Sequence, residues 1–237
     1  MSFSRDFDDI LERGVRLAGL TTFGIGGPAE LLARPGDRAR LAALLAAAAA
    51  EGLPVRILGA GSNVLAADEG VRGLVVVLTG REFARLETLP GGARCGAGLR
   101  LPRLVRESAA AGLSGLEGLA GIPATVGGAL RTNAGGGYGC IGDAVEEIEA
   151  LDLSGREVRV GREAAGFGYR TSNLGGLVLT GCRLNLTPAD PEAVRRRTRE
   201  VLDEKRRTQP LDLPSAGCVF RNPPGGPPAG RAIEELG

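Results

Sequence analysis

Two glycine-rich clusters are the residues of this sequence whose types and spacing could do chemistry. Gly59-Ala60-Gly61-Ser62-Asn63 follows a short aliphatic run, and Gly121-Ile122-Pro123-Ala124-Thr125-Val126-Gly127-Gly128 continues through Asn133 and Gly135 to Gly137. A residue without Cβ lets another backbone or a ligand come within contact distance, so both clusters predict main chain laid against a bound molecule. Turned toward one point, the N–H groups of residues 59 to 63 would form an anion-binding nest, with Ser62 and Asn63 adding side-chain donors. Taken alone, that pentapeptide reads first as a structural turn and second as a ligand contact, because neither a full G-x-G-x-x-G nor a G-x-x-x-x-G-K-[ST] pattern is present. Two nests, however, suit the two phosphates of a dinucleotide, and Ile122, Val126 and Leu130 embed the second cluster in apolar surroundings.

The inventory of proton carriers is short. There is no histidine, which removes the usual general base, the commonest metal ligand and every His-dependent triad. Proton transfer has to fall to cysteine, serine, tyrosine or carboxylates. Cys95, Cys140, Cys182 and Cys218 contain no C-x-x-C pair, so no zinc site or thioredoxin-like pair is expected. Any one of them reads first as a small buried apolar residue, and their scarcity fits a reducing compartment.

The 29 basic and 28 acidic residues nearly cancel, and Lys205 is the only lysine. A net charge of +1 argues against nucleic acid or an anionic membrane as the main partner. The longest apolar run, Leu41 to Ala50, is half a membrane span, and the N-terminus carries no signal-peptide pattern. The chain is expected to be cytoplasmic, to act as a monomer on a small molecule, and to bind no metal. A chain of 237 residues can bury about three quarters of its unfolded surface.

The elements that must position these groups alternate. Asp37 is the expected N-cap of an alanine- and leucine-rich helix that Gly52 ends after Glu51. Val55 to Leu58 and Leu74 to Leu78 read as strands. Leu101, Leu104, Val105, Ser108 and Ala109 have helical spacing. Ile148 to Leu153 and Val158 to Val160 form a hairpin through Ser154-Gly155, and Leu177 to Leu186 is a further strand. After Pro188-Ala189-Asp190 comes a charged helix to Arg207, then a Pro- and Gly-rich stretch leading to a helix start at Arg231. The expected organisation is α+β, in three parts: residues 1–78, 79–187 and 188–237.

Six motifs give the sequence a specific likeness. Thr21-Thr-Phe-Gly-Ile-Gly-Gly-Pro-Ala29, Gly59-Ala-Gly-Ser-Asn-Val-Leu65, Gly118-Leu-Ala-Gly-Ile-Pro-Ala-Thr-Val-Gly-Gly-Ala129, Asn133-Ala-Gly135, Tyr169-Arg-Thr-Ser172 and Ser215-Ala-Gly-Cys-Val-Phe-Arg-Asn-Pro223 occur in this order. The sequence thereby resembles the UDP-N-acetylenolpyruvoylglucosamine reductase (MurB) family from about residue 20 onward. The resemblance implies an FAD-binding fold of the vanillyl-alcohol-oxidase (PCMH) type, with residues 1–78 and 79–187 holding FAD. It makes residues 188–237 the beginning of an α+β substrate-binding domain, here truncated. Only a short stretch separates Arg170 from the strand at Leu177, which resembles the family's shorter type.

The implied reaction is a step of peptidoglycan precursor synthesis. NADPH reduces FAD, and hydride then passes to the enolpyruvyl group of UDP-N-acetylglucosamine enolpyruvate to give UDP-N-acetylmuramate. The implied cofactor-binding residues are Gly59, Ala60, Gly61, Ser62, Asn63, Gly121, Ile122, Thr125, Gly127, Gly128, Asn133 and Gly135. Hydride addition to an enol ether carboxylate builds negative charge on the carboxylate side, and a proton must then reach C2. Arg170 matches the family arginine that stabilises that charge, with Tyr169 beside it and Asn222 as a further substrate contact. Cys218 stands where the family usually has the serine proton donor. A thiol, ordinarily titrating near 8.5, is mostly protonated at neutral pH and far more acidic than a serine hydroxyl. Ala124 replaces a glycine usual in the family, and a glutamate near the family's C-terminus has no match in Glu234 or Glu235. Two other readings use the same glycines: an FAD oxidase of the same fold, and a flavin-binding chain with little activity.

Overall fold

Asp37 starts the first helix by accepting a hydrogen bond from the backbone N–H of Arg40 at 2.7 Å. In the computed structural model, which describes residues 6–209 and 213–237, that helix is α1 (Arg38–Ala50) and ends before Gly52 at φ +65°. Its buried Leu41, Leu44, Leu45 and Ala48 are spaced by three and four residues along one face.

The helix joins strands of a four-stranded sheet. β1 (Leu11–Arg16), β2 (Pro28–Ala33), β4 (Val71–Val76) and β3 (Val55–Ile57) lie in that order, antiparallel at β1·β2 and parallel at β2·β4 and β4·β3. Leu74, Val75 and Val76 of central β4 are all buried, the continuous apolar pattern of a strand covered on both faces. β1 escaped the sequence reading because it is an edge strand, largely exposed, with no alternation to detect.

A second sheet is antiparallel throughout, in the order β11 (Glu157–Gly161), β10 (Val145–Asp152), β12 (Leu177–Asn185), β6 (Gly92–Gly96), β5 (Leu86–Leu89). The expected Ser154-Gly155 hairpin is present: Asp152 N–H donates to Arg156 O at 2.9 Å, and Gly155 has φ +84°. β6, Gly-Ala-Arg-Cys-Gly, has little strand propensity and exists because it is paired on both sides. Cys95 and Cys182 are register partners in it, buried free thiols with sulfurs 3.5 Å apart. They are core residues, and the neighbouring Cys95 thiol and burial push Cys182 well above the usual thiol range.

α2 (Leu101–Ala110) buries Leu101, Leu104, Val105, Ser108 and Ala109, the face expected from its spacing. It packs against α5 (Pro191–Thr208), which Asp190 caps by accepting from the Glu192 and Ala193 N–H groups. Between them, the glycine segment is more regular than expected. It holds the short helix α3 (Val126–Arg131), the two-residue strands β8 (Gly135–Gly136) and β9 (Gly139–Cys140), and the single helical turn α4 (Ile141–Ala144). The helix-weakening pair Gly127-Gly128 is tolerated because Val126, Ala129 and Leu130 are buried. The last helix, α6 (Ala229–Glu234), buries no residue.

One charged group ties α1 to the second sheet. Glu149 of β10, with a side chain 5% exposed, accepts from Arg38 of α1 and from Arg94 of β6, whose Nε stands 2.9 Å away, and Arg85 lies at 3.5 Å. Burial alone would raise this carboxyl, but the hydrogen bonds from Arg38 and Arg94 hold it below the ordinary carboxylate range. A depressed carboxyl stabilises the fold above its unfolded value and loses that contribution as pH falls through the folded value. Glu149→Gln is therefore expected to cost about 2–3 kcal/mol near neutral pH, less than a fully dry pair because the arginines are partly exposed. In urea titrations this deficit should shrink as the pH is lowered below about 4.

Candidate functional site

The Gly59–Asn63 loop sits where β3 leaves the parallel sheet. Leu58 N–H donates to Val76 O at 2.9 Å, which anchors its entry. Gly61 adopts φ +67° and is so close to the preceding loop that a Cβ there would lie 2.0 Å from Leu20 O. Thr22 N–H donates to Gly61 O at 3.1 Å, pinning the Thr21–Ala29 motif to the loop. The backbone N–H groups of residues 59 to 63 and the side chains of Ser62 and Asn63 have no hydrogen-bond partner among the described residues. Five successive free donors, Gly59 and Asn63 exposed and the rest part-buried or buried, are what a nest for an anionic group requires.

The second glycine segment meets the first directly. A Cβ at Gly59 would lie 2.7 Å from Thr125 Oγ1. The donors of α3, however, are already used: Val126 N–H reaches Leu99 O, Gly127 N–H reaches Ala97 O, and Gly128 N–H reaches Thr125 Oγ1. Gly127 thus serves close packing, since its missing Cβ would sit 3.1 Å from Ala97 Cβ. Ile122 is half-buried and its N–H is bonded to Leu119 O. Ala124, the departure from the family glycine, has a negative φ, so alanine fits there.

Asn133 has φ +44° and is 9% exposed. Its Nδ2 donates to Gly168 O and its Oδ1 accepts from Gly142 N–H, both at 3.0 Å. The side chain clamps the Tyr169-Arg170 turn to the glycine segment. Gly135 pairs with Cys140 across the β8–β9 hairpin, and a Cβ there would lie 2.8 Å from the Cys140 sulfur.

Tyr169 and Arg170 occupy a two-residue turn closed by mutual Gly168 and Thr171 hydrogen bonds of 3.1 and 3.3 Å. Arg170 is held at φ +55°, a conformation costly for a residue with a Cβ and typical of sites whose side-chain direction matters. Burial and Asp143 push the nearby Cys140 thiol upward against the lowering influence of the Arg170 cation.

The Ser215–Pro223 segment spans both regions. A Cβ at Gly217 would lie 3.1 Å from Asn63 Oδ1 and 3.4 Å from Ser62 O, which lays the segment along the nest. Farther on, Asn222 N–H donates to the Tyr169 hydroxyl at 3.4 Å and Arg221 Nη2 to Arg170 O at 3.5 Å. Asn222 Oδ1 accepts from Ala229 N–H at 3.0 Å, so this side chain also starts α6. Cys218, a free exposed thiol, lies between those two anchor points in sequence. The structure therefore brings together the nest, the Tyr169-Arg170 turn and the Cys218 segment. Lys205, which donates to Gly118 O and Ala120 O, was missed by motif reading; its being the only lysine was the available signal.

A strand-edge nest, a tightly apposed second glycine segment and a cation-bearing turn define a dinucleotide-binding α+β protein. The family model described as "FAD binding domain" matches residues 29–161. The solvent-stable cholesterol oxidase shares the fold, with TM-score 0.59 at 19% identity over 76% of this chain and 38% of that one. The fold is thus the FAD-binding fold of the vanillyl-alcohol-oxidase type. Closer similarity is found to the UDP-N-acetylenolpyruvoylglucosamine reductase of Moorella thermoacetica, 47% identical over 219 residues, covering 92% of this chain and 71% of the relative. The corresponding reductase 2 of Symbiobacterium thermophilum is 44% identical, covering 92% and 70%. The crystal structure of the Thermus caldophilus reductase superposes with TM-score 0.83 at 46% identity, covering 95% of this chain and 79% of that one. The chain belongs to the UDP-N-acetylenolpyruvoylglucosamine reductase family.

The nest and its close approaches fit an FAD dinucleotide: free donors are present where an anion needs them, and the cradle has no room for added atoms in its wall. Gly61→Ala is expected to destabilise the protein by at least about 2 kcal/mol, through the left-handed φ and the Leu20 contact. Gly136→Ala, with negative φ and open space around the Cβ position, should stay within about 0.5 kcal/mol of the parent. Urea midpoints of the two variants check the contrast.

Proposed function

We propose that this chain is an FAD-dependent, NADPH-oxidising reductase that saturates the enolpyruvyl group of UDP-N-acetylglucosamine enolpyruvate, yielding UDP-N-acetylmuramate for peptidoglycan. The observation that carries the reading is the convergence of three motifs distant in sequence, namely the nest at 59–63, the turn at 169–170 and the segment around Cys218. When bound, FAD would supply the hydride-transfer chemistry between NADPH and the enolpyruvyl double bond.

The chain's own residues supply binding and charge control. The free N–H groups of Gly59, Ala60, Gly61, Ser62 and Asn63 hold the pyrophosphate. Gly121, Ile122, Thr125, Gly127, Gly128, Asn133 and Gly135 shape the second wall, some by donors and others by the close packing that a side chain would prevent. Arg170 meets the substrate carboxylate, where negative charge grows as hydride adds to C3. Its left-handed backbone sets where the side chain leaves the turn. Tyr169 and Asn222 frame that position. The Cys218 thiol donates its proton to C2 and is reprotonated from solvent, so hydride and proton together account for the two hydrogens added.

Residues 1–78 and 79–187 are assigned to FAD binding and 188–237 to the substrate side. The protein is proposed to work as a cytoplasmic monomer. Among the described residues no helix is long and apolar enough to cross a membrane.

The test is a two-step anaerobic experiment on purified protein: reduction by NADPH, then mixing with the enolpyruvyl substrate. A yellow protein whose flavin absorbance bleaches and then returns supports the assignment, whereas return only on admitting oxygen would favour an oxidase. Cys218→Ala should reduce at the parental rate but reoxidise about 10²–10⁴-fold more slowly, with Cys218→Ser recovering part of the loss. A Cys218→Ala protein reoxidised at the parental rate would remove the thiol from the reaction. Arg170→Gly should separate stability from chemistry. Relief of the left-handed strain is expected to hold or raise the melting temperature, while loss of the cation slows reoxidation about 100-fold or more.

A further inference from the structure

Helix α5 is fastened to the glycine segment by the one lysine of the chain. Lys205 Nζ donates to Gly118 O at 3.0 Å and to Ala120 O at 2.6 Å. One turn earlier, Leu202 Cδ1 lies 3.1 Å from where a Gly121 Cβ would be, and Arg197 stands 5.6 Å from the Tyr138 ring centroid. The same helix therefore grips both halves of the segment, around residues 118–121 and at the β8–β9 hairpin. It is also the element from which the chain runs on toward Cys218.

The lysine contacts have a consequence for backbone direction. The Ala120–Gly121 peptide is planar and trans, so a carbonyl turned toward Lys205 sends the Gly121 N–H the opposite way. The flanking donors are consumed, Ala120 N–H by Glu117 O and Ile122 N–H by Leu119 O. Gly121 N–H has no acceptor among the described residues, and Gly121 is exposed at φ +78°. A donor is thus left free at one position of an otherwise paired turn. A compact ammonium can serve two carbonyls of the same turn, which the flat fork of arginine does less well. Burial lowers the Lys205 pKa, and the two carbonyls offset part of that desolvation.

We propose that Lys205 is a positioning residue for the cofactor: by clamping the Gly118 and Ala120 carbonyls, it aims the free Gly121 N–H at an acceptor oxygen of the flavin dinucleotide. This rests on the flavin-binding reading above. It also makes α5 the connection through which the cofactor loop and the Cys218 segment are set relative to each other.

Titration of FAD into apoprotein, followed by quenching of flavin fluorescence, tests it with three variants. Lys205→Met keeps the aliphatic stem and removes the donors, and should weaken FAD about tenfold, the worth of one hydrogen bond to a charged or polar acceptor. Lys205→Arg, which keeps the charge and donors, should recover part of that loss. Val201→Ala, which thins the buried face of the same helix, should lower the melting temperature yet leave FAD affinity within about twofold. Parental affinity in Lys205→Met overturns the proposal, and so does an equal loss of affinity in Val201→Ala at matched melting temperature. A parent protein that binds no FAD would instead refute the flavin reading itself, and this inference with it.

Discussion

Unpaired backbone donors are the constraint around which this structure is arranged. Five N–H groups in a row, from Gly59 to Asn63, lack acceptors among the described residues. Such groups are costly when they cannot reach water or a ligand. They persist here because the loop is fixed from both sides, by Leu58 on β4's Val76 and by Gly61 on Leu20 and Thr22. The parallel pairing makes this possible, since β3 and β4 run in the same direction and so place their C-terminal ends, and the loops that follow them, on one side of the sheet.

The same logic separates two kinds of glycine. At residues 59 to 63 the main chain is left open toward a ligand. At 127 and 128 the donors are satisfied internally and the missing side chain lets α3 lie against the Ala97 loop. A closely packed wall thus lies beside an open run of donors. Arg170 stands in a strained turn that the Asn133 clamp ties to the glycine segment.

The region after β12 is more than an appendage to the two sheets. α5 buries Val194 and Val201, the latter in the main hydrophobic core, and holds the 118–121 turn through Lys205. The chain then crosses from Asn63 to Tyr169. The glycine segment and the Cys218 segment are therefore linked by covalent continuity and by side-chain contacts alike, while Glu149 ties α1 to the second sheet.

Much of this was legible in the sequence. Asp37 marks a helix start because capping is local, and the segment ending at Asp190 marks the boundary before the charged helix; the face of α2 follows from spacing; and the six ordered motifs identify the family. Local chemistry alone left Gly59–Asn63 between a turn and a nest, and only the second glycine cluster and the ordered motifs pointed to a bound dinucleotide. What sequence could not supply was which glycines donate and which merely pack, because that depends on whether Leu99 O and Ala97 O are present to accept. Nor could it show β1 and β6, whose residues form strands only through their neighbours, or the Lys205 clamp, where a helix eighty-odd residues downstream reaches two particular carbonyls. The residue types fixed what this chain is able to bind and transfer; only the tertiary structure decided which donors remain free to do it, since a hydrogen bond is satisfied or left open by atoms distant in sequence.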